Sequence, residues 1–260
     1  MNPAGSKHEY NAPVSERYDR QLPLFGTSGQ NKLAAASVFI AGAGGLGSPV
    51  ATYLAAAGVG RIILLDCDTV EKTNLNRQFL HREADIGRPK AESGAEKLRL
   101  LNPEIQAEAV CGLLTEENIE KMAGDCQIIV DALDNDKTRR ILAAFAVRTK
   151  KPYFHAAVSG FRGQFASFHP EDGPCYFCMF SKTESEESKI SENQTVPIVG
   201  ATAGVVGSMQ ANEIIKYITG AGKEHSGKLF IWDGVSNTLD FIEIEKDEDC
   251  EICSKSAAKK

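Results

Sequence analysis

Short apolar-rich runs alternate with longer amphipathic stretches through the first 158 residues of the chain. Ser37-Val-Phe-Ile-Ala41, Arg61-Ile-Ile-Leu-Leu65, Ile105–Val110, Gln127-Ile-Ile-Val-Asp131 and Tyr153–Val158 read as strands. Continuous apolarity fits a parallel sheet covered on both faces better than a sheet with one wet face. Between these runs, Leu46–Ala57, Pro89–Leu101, Thr115–Met122 and the stretch reaching about Arg148 carry helical spacing, with Thr115 the expected cap of its helix. Strand and helix in alternation predict α/β architecture, a doubly wound Rossmann-like sheet.

After residue 158 the pattern changes. Phe161–Phe168 reads as an antiparallel strand beside Cys175-x-x-Cys178. Residues 181–194 are polar and charged and are expected to form a mobile surface loop. A long helix is expected over Ala203–Ile218, and two further strands, Lys228–Trp232 and Thr238–Ile244, precede Cys250-x-x-Cys253. Residues 1–14 read as a flexible arm followed by a short amphipathic stretch holding Arg17-Tyr18-Asp19-Arg20-Gln21. Residues 15–260 then read as one domain, with an alternating strand–helix part at about 15–158 and a second part, carrying both cysteine pairs, at about 159–253. An apolar content of 42% is enough to fill its core.

Net charge is −6, which argues against a dedicated nucleic-acid binder. No apolar run approaches the ~20 residues that cross a bilayer. The first fifteen residues lack a hydrophobic signal segment. The expected setting is the cytoplasm, without membrane association. There, the seven cysteines read as metal ligands and buried thiols, not disulfides. Cys67, Cys111 and Cys126 lie in or beside apolar runs and are expected to be small packed residues.

Gly42-Ala-Gly44-Gly45-Leu-Gly47 sits between the first strand and the first helix and satisfies the G-x-G-x-x-G pattern. Glycines let backbone approach phosphate, and a helix N-terminus favours anions. Asp66 ends the next strand, where an acid suits ribose hydroxyls. The turn alone does not separate a dinucleotide from ATP. Arg77 and Lys90 supply cations that a triphosphate under attack needs, or else are solvated surface charges. Asp134, beyond the strand ending at Asp131, is placed either to hold Mg²⁺ or to cap a helix. The two cysteine pairs fit a closed, structural Cys₄ zinc site; a redox pair or an iron–sulfur cluster are the other uses of such thiols.

In combination these motifs, with Asp66-x-Asp68, Asn74-Leu-Asn-Arg77-Gln78, Asp134-Asn135 and Gly200–Glu213, resemble the MoeB/ThiF/HesA family, relatives of ubiquitin-activating enzymes. The resemblance runs from about Arg17 to Cys253. It implies adenylation of the C-terminal glycine carboxylate of a small ubiquitin-like sulfur carrier, with ATP and Mg²⁺ as cofactors and structural Zn²⁺ on Cys175, Cys178, Cys250 and Cys253. By motif position it implies a nucleotide site built from Gly42, Gly44, Gly45, Gly47, Asp66, Asp68, Gln78 and Asn135, with Asp66 on the ribose. Asn74, Arg77 and Lys90 would hold phosphates and Asp134 the Mg²⁺. Arg20 would reach into a partner subunit's site, which implies a homodimer. The pathway, molybdopterin or thiamine synthesis or protein tagging, stays open, as does the external sulfur donor or acceptor.

Some members of that family carry a crossover cysteine that binds substrate covalently. Residues 179–249 contain none, and Thr195, near the expected place, is a poor nucleophile by comparison. The chain's own covalent chemistry is therefore expected to stop at the acyl-adenylate. Adenylation of a modified tRNA, NAD-dependent oxidoreduction and a non-catalytic scaffold are the competing readings. The first sits poorly with the negative charge, and the second does not explain Arg77, Lys90 and Asp134 together.

Overall fold

The computed structural model describes residues 15–169, 173–180, 197–223 and 225–254. The expected arm over 1–14, the expected loop over 181–194 and Thr195 lie outside the described residues. In chain order the elements are α1 (Leu22–Ala35), β1 (Ser37–Ala41), α2 (Gly47–Ala57), β2 (Arg61–Asp66), α3 (Lys90–Leu101), β3 (Gln106–Cys111), α4 (Ile119–Ala123) and β4 (Ile128–Asp131). They continue with α5 (Asp136–Thr149), β5 (Tyr153–Ser159), β6 (Arg162–Phe168), α6 (Tyr176–Phe180), α7 (Gly200–Thr219), β7 (Lys228–Asp233) and β8 (Thr238–Glu243).

All the strands join one sheet in the order β3-β2-β1-β4-β5-β6-β7-β8. The first five strands are parallel to their neighbours; from β5 onward each pairing is antiparallel. The run of apolar residues in β1 is explained by alternation between two covered faces. Val38 and Ile40 join the core beneath α2 and α7, while Phe39 and Ala41 join the core beneath α4 and α5. Strand order reverses between β1 and β4, so the crevice at their carboxyl ends is the topological switch point where such sheets bind ligands.

Three expectations need correction. The sequence reading missed α1, because Pro23, Gly26 and Gly29 spoil its helical signal; Gly26, at φ +66°, kinks it. Tertiary contact holds it instead: Leu33 is fully buried, and Gln30 donates to the Ala57 carbonyl at 3.0 Å. The helix expected from Thr115 begins only at Ile119. Asn118 Oδ1 accepts the Thr115 N–H at 2.8 Å, so the polar residues close a turn and Thr115 is not a cap. Finally, α7 starts at Gly200, one turn before the expected Ala203, which brings its N-terminus onto the site described next.

Candidate active site

The glycine turn occupies the switch point. Gly42 has φ +103°, a region that L side chains rarely adopt, and its N–H donates to the Leu65 carbonyl at 2.8 Å. A Cβ on Gly42 would lie 2.5 Å from the Ala132 carbonyl oxygen, and one on Gly47 only 1.9 Å from the Gly42 oxygen. These two glycines lock the turn between β1, α2 and the segment after β4. Asp66 ties it to β2: one carboxylate oxygen accepts the Ala43 N–H at 2.7 Å and the other accepts the Asp68 N–H at 2.8 Å. Burial raises the Asp66 pKa against those two donors. From below, buried His81 bridges the Ala43 carbonyl (3.0 Å) and Ser93 Oγ (2.9 Å), a support the sequence reading did not anticipate.

Gly44 and Gly45 face the segment after β2. Gln78 Nε2 lies 3.5 Å from where a Gly44 Cβ would stand, and Arg77 Cγ 3.6 Å from the Gly45 equivalent. The buried Gln78 Oε1 has no hydrogen-bond partner among the described residues. Ala203, in the first turn of α7, also abuts Gly45. Two helix N-termini, those of α2 and α7, therefore converge on the turn and favour an anion there.

The cations are present but engaged. Arg77 donates to the Thr73 carbonyl and Asn76 Oδ1, both at 3.0 Å. Buried Lys90 pairs with Asp68 at 2.9 Å, and that hydrogen bond lowers the Asp68 pKa. Asn74 Oδ1 accepts the Glu71 N–H at 3.1 Å, closing the short turn that carries Arg77.

Asp134 is not the cap of the helix that follows it. Asn135 is the N-cap of α5, its side chain accepting the Thr138 N–H at 3.0 Å. Asp134 is exposed, and no hydrogen-bond or ion-pair partner for its carboxylate is found among the described residues. It stands three residues beyond the end of β4, on the same edge as the glycine turn.

Arg20 lies at the opposite edge. Its neighbour Tyr18 packs on Gly58, and Gln21 donates to the Ala57 carbonyl at 2.9 Å, at the far end of α2. The eleven residues of α2 put ~16 Å between that end and the glycine turn, beyond the reach of exposed Arg20.

The four cysteines of the two C-x-x-C pairs meet. Sγ separations are 3.8 Å for Cys175–Cys178, 3.7 Å for Cys175–Cys250 and 3.6 Å for Cys178–Cys253. Four sulfurs at the ~2.3 Å of a Zn–S bond stand ~3.8 Å apart in a tetrahedron, so the donor set fits zinc. Tyr176, inside the first pair, lies edge-on to His155 with ring centroids 5.3 Å apart, and its hydroxyl donates to Asp136 Oδ1 at 3.4 Å.

The remaining thiols correct the sequence reading. Cys126 is buried as expected, but Cys67 and Cys111 are exposed, because they stand at the open carboxyl edge of β2 and β3. Partial burial and then neighbouring carboxylates raise both thiol pKa values, which makes neither a ready thiolate.

The chain is similar to proteins of known chemistry over nearly its whole length. It is 36% identical to the SAMP-activating enzyme E1 of Haloferax volcanii, over 92% of this chain and 89% of that one. It is 38% identical to the sulfur carrier protein adenylyltransferase of Thermus thermophilus, over 92% and 90%. Identity to the mouse adenylyltransferase and sulfurtransferase MOCS3 is also 38%, but there the chain spans only 52% of the relative. The structure of Escherichia coli MccB with ATP superposes with a TM-score of 0.83 at 26% identity, covering 95% of this chain and 76% of that one. The ThiF family pattern matches residues 18–252, from Tyr18 beside Arg20 to the residue before the last clustered cysteine. That span takes in the glycine turn, the sheet and three of the four clustered cysteines, and the chain belongs to the ThiF family.

Proposed function

We propose that this protein is an ATP-dependent adenylyltransferase acting on the C-terminal glycine carboxylate of a small ubiquitin-like sulfur carrier. The observation that carries the reading is the unpartnered Asp134 on the same sheet edge as the glycine turn, Arg77 and Lys90. A triphosphate under attack calls for cations and a metal ligand together at one site, as this set supplies. The Haloferax and Thermus relatives, matched over about nine-tenths of their own length, support it.

In this reading a carboxylate oxygen of the carrier attacks the α-phosphorus of ATP. The bond from that phosphorus to the bridging oxygen breaks, and pyrophosphate departs. Asp66 orients the ribose, and the glycine turn with the N-termini of α2 and α7 cradles phosphate oxygens. Lys90 exchanges its Asp68 partner for the departing phosphates, joined by Arg77. Asp134 would hold Mg²⁺, which neutralises phosphate charge when bound. No side chain acts as nucleophile, because the substrate brings its own carboxylate. The acyl-adenylate is then consumed by an external sulfur donor or acceptor. Because Arg20 lies too far from its own site, it is assigned to the site of a second subunit, and the working unit is a homodimer.

ATP–pyrophosphate exchange against a panel of small proteins ending in Gly-Gly tests this. At least one member should stimulate exchange, and the enzyme's own mass should stay unchanged afterwards. Exchange with none of them, or a thiol-sensitive adduct on Cys67 or Cys111, would contradict the reading.

The thiol cluster is assigned to one structural zinc per chain. All four positions of the tetrahedron are taken by protein, so no open site for chemistry is left. Metal analysis of anaerobically purified protein should find about one zinc per chain. Cys250→Ser should lower both zinc content and the melting temperature. Zinc-free protein with an unchanged melt would remove the assignment.

A further inference from the structure

Beneath the Asp134 segment lies a buried ion pair that takes no part in the chemistry above. Asp131, at the end of β4, is fully buried. Its Oδ2 accepts from Arg139 Nε at 2.8 Å, Tyr153 Oη at 2.8 Å and His155 Nδ1 at 2.7 Å. Its Oδ1 accepts the Leu133 N–H at 3.0 Å. Arg139, one turn into α5, takes the other side of Leu133: Nη2 donates to the Leu133 carbonyl at 2.5 Å and reaches the Ala156 carbonyl at 3.5 Å. Leu133 is thus held at both its N–H and its C=O by one carboxylate–guanidinium pair. The next residue is Asp134.

A buried ion pair is a poor stability device, since apolar residues of similar volume fill such a space at least as well. Apolar residues offer no means of holding both the N–H and the C=O of one residue. A lysine in place of Arg139 would keep the charge but lose the planar fork that reaches Asp131 and Leu133 together. On either side the segment is tied by the Ala132 N–H to the Ala41 carbonyl at 2.9 Å and by the Asn135 cap of α5; between those ties the polar grip is the one on Leu133.

We infer that Arg139, acting with Asp131, is a positioning residue that fixes the Asp134 carboxylate for its divalent cation. This rests on the assignment of Asp134 as the cation's ligand. The test is ATP binding by calorimetry as a function of Mg²⁺ concentration, for the full-length parent chain, Arg139→Lys and Asp134→Ala. Loss of a residue that orients a metal ligand weakens the metal ~10–100-fold. Arg139→Lys should move the Mg²⁺ midpoint upward by at least ~10-fold while leaving ATP binding without Mg²⁺ as it was. A parent-like midpoint in Arg139→Lys, with Asp134→Ala shifted, overturns this inference alone. An unshifted midpoint in Asp134→Ala overturns the cation assignment and this inference with it. Hydrogen exchange on the parent chain needs no variant: the Leu133 amide should be protected like the amides of β4, and free exchange there would also overturn the inference.

Discussion

Asp134→Ala is expected to lower ATP–pyrophosphate exchange by about 100-fold or more, with its melting temperature unchanged. The size follows from losing the anchor of the Mg²⁺ that, in the proposed mechanism, would supply positive charge where negative charge builds on transferred and departing oxygens; losing one such electrostatic element costs ~2.7–4 kcal/mol. The unchanged melt follows from the local structure. Helix α5 is capped by Asn135, and the exposed Asp134 side chain contributes no hydrogen bond that folding would lose. Catalysis and stability are separable at this position, and the experiment reads both. Exchange within a few-fold of the parent in a normally folded variant would remove Asp134 from the mechanism.

Arg20→Ala is expected to be inactive alone and to regain activity when mixed with Asp134→Ala. The geometry behind this is the ~16 Å length of α2, which separates the Tyr18–Gln21 segment from the glycine turn of the same chain. A side chain at one end of the sheet serves a site at the other end only if a second copy brings the two together. In a mixed dimer one site would combine Arg20 from the Asp134→Ala chain with Asp134 from the Arg20→Ala chain. The other site would lack both, so recovery should fall short of the parent. Labelled subunits must first be shown to exchange. No recovery after confirmed exchange would place Arg20 outside any shared site.

Most of the sheet was legible because each strand in it obeys one physical rule. The interiors of β1, β2 and β4 are covered on both faces, so Val38–Ala41, Ile62–Leu65 and Ile128–Val130 are apolar throughout and each run stands out. The glycine turn was legible for the same kind of reason: Gly42 and Gly47 are demanded by backbone clashes that no other residue escapes. α1 was not legible, because its stability comes from Leu33 and Gln30 meeting α2 and not from its own periodicity. Cys67 and Cys111 misled because closeness to an apolar run signals membership of a strand, not burial; the carboxyl edge of this sheet is where the structure opens. The Asp131–Arg139 pair carried no readable signal at all. An acid at a strand end and an arginine eight residues on describe any helix entry. Only the fold shows that both turn inward, onto the hydroxyl of Tyr153 and the ring of His155.

The thiol cluster has a consequence for how the chain reaches its fold. Its sulfurs come in pairs three residues apart, but the pairs are 75 residues apart. Two thiols from one pair make half a tetrahedron, so an ion has little reason to stay until the distant pair arrives. That arrival first requires β5, β6, β7 and β8 to assemble in register, since the sheet carries the second pair to the first. An ion caught there would close a long loop and remove part of the freedom the unfolded chain gains by opening, an entropic advantage of ~4 kcal/mol for a covalent link across a loop of this length. The metal in this reading does not nucleate the antiparallel half of the sheet. A zinc ion that joined last would act as a latch and slow the rate at which the finished molecule comes apart.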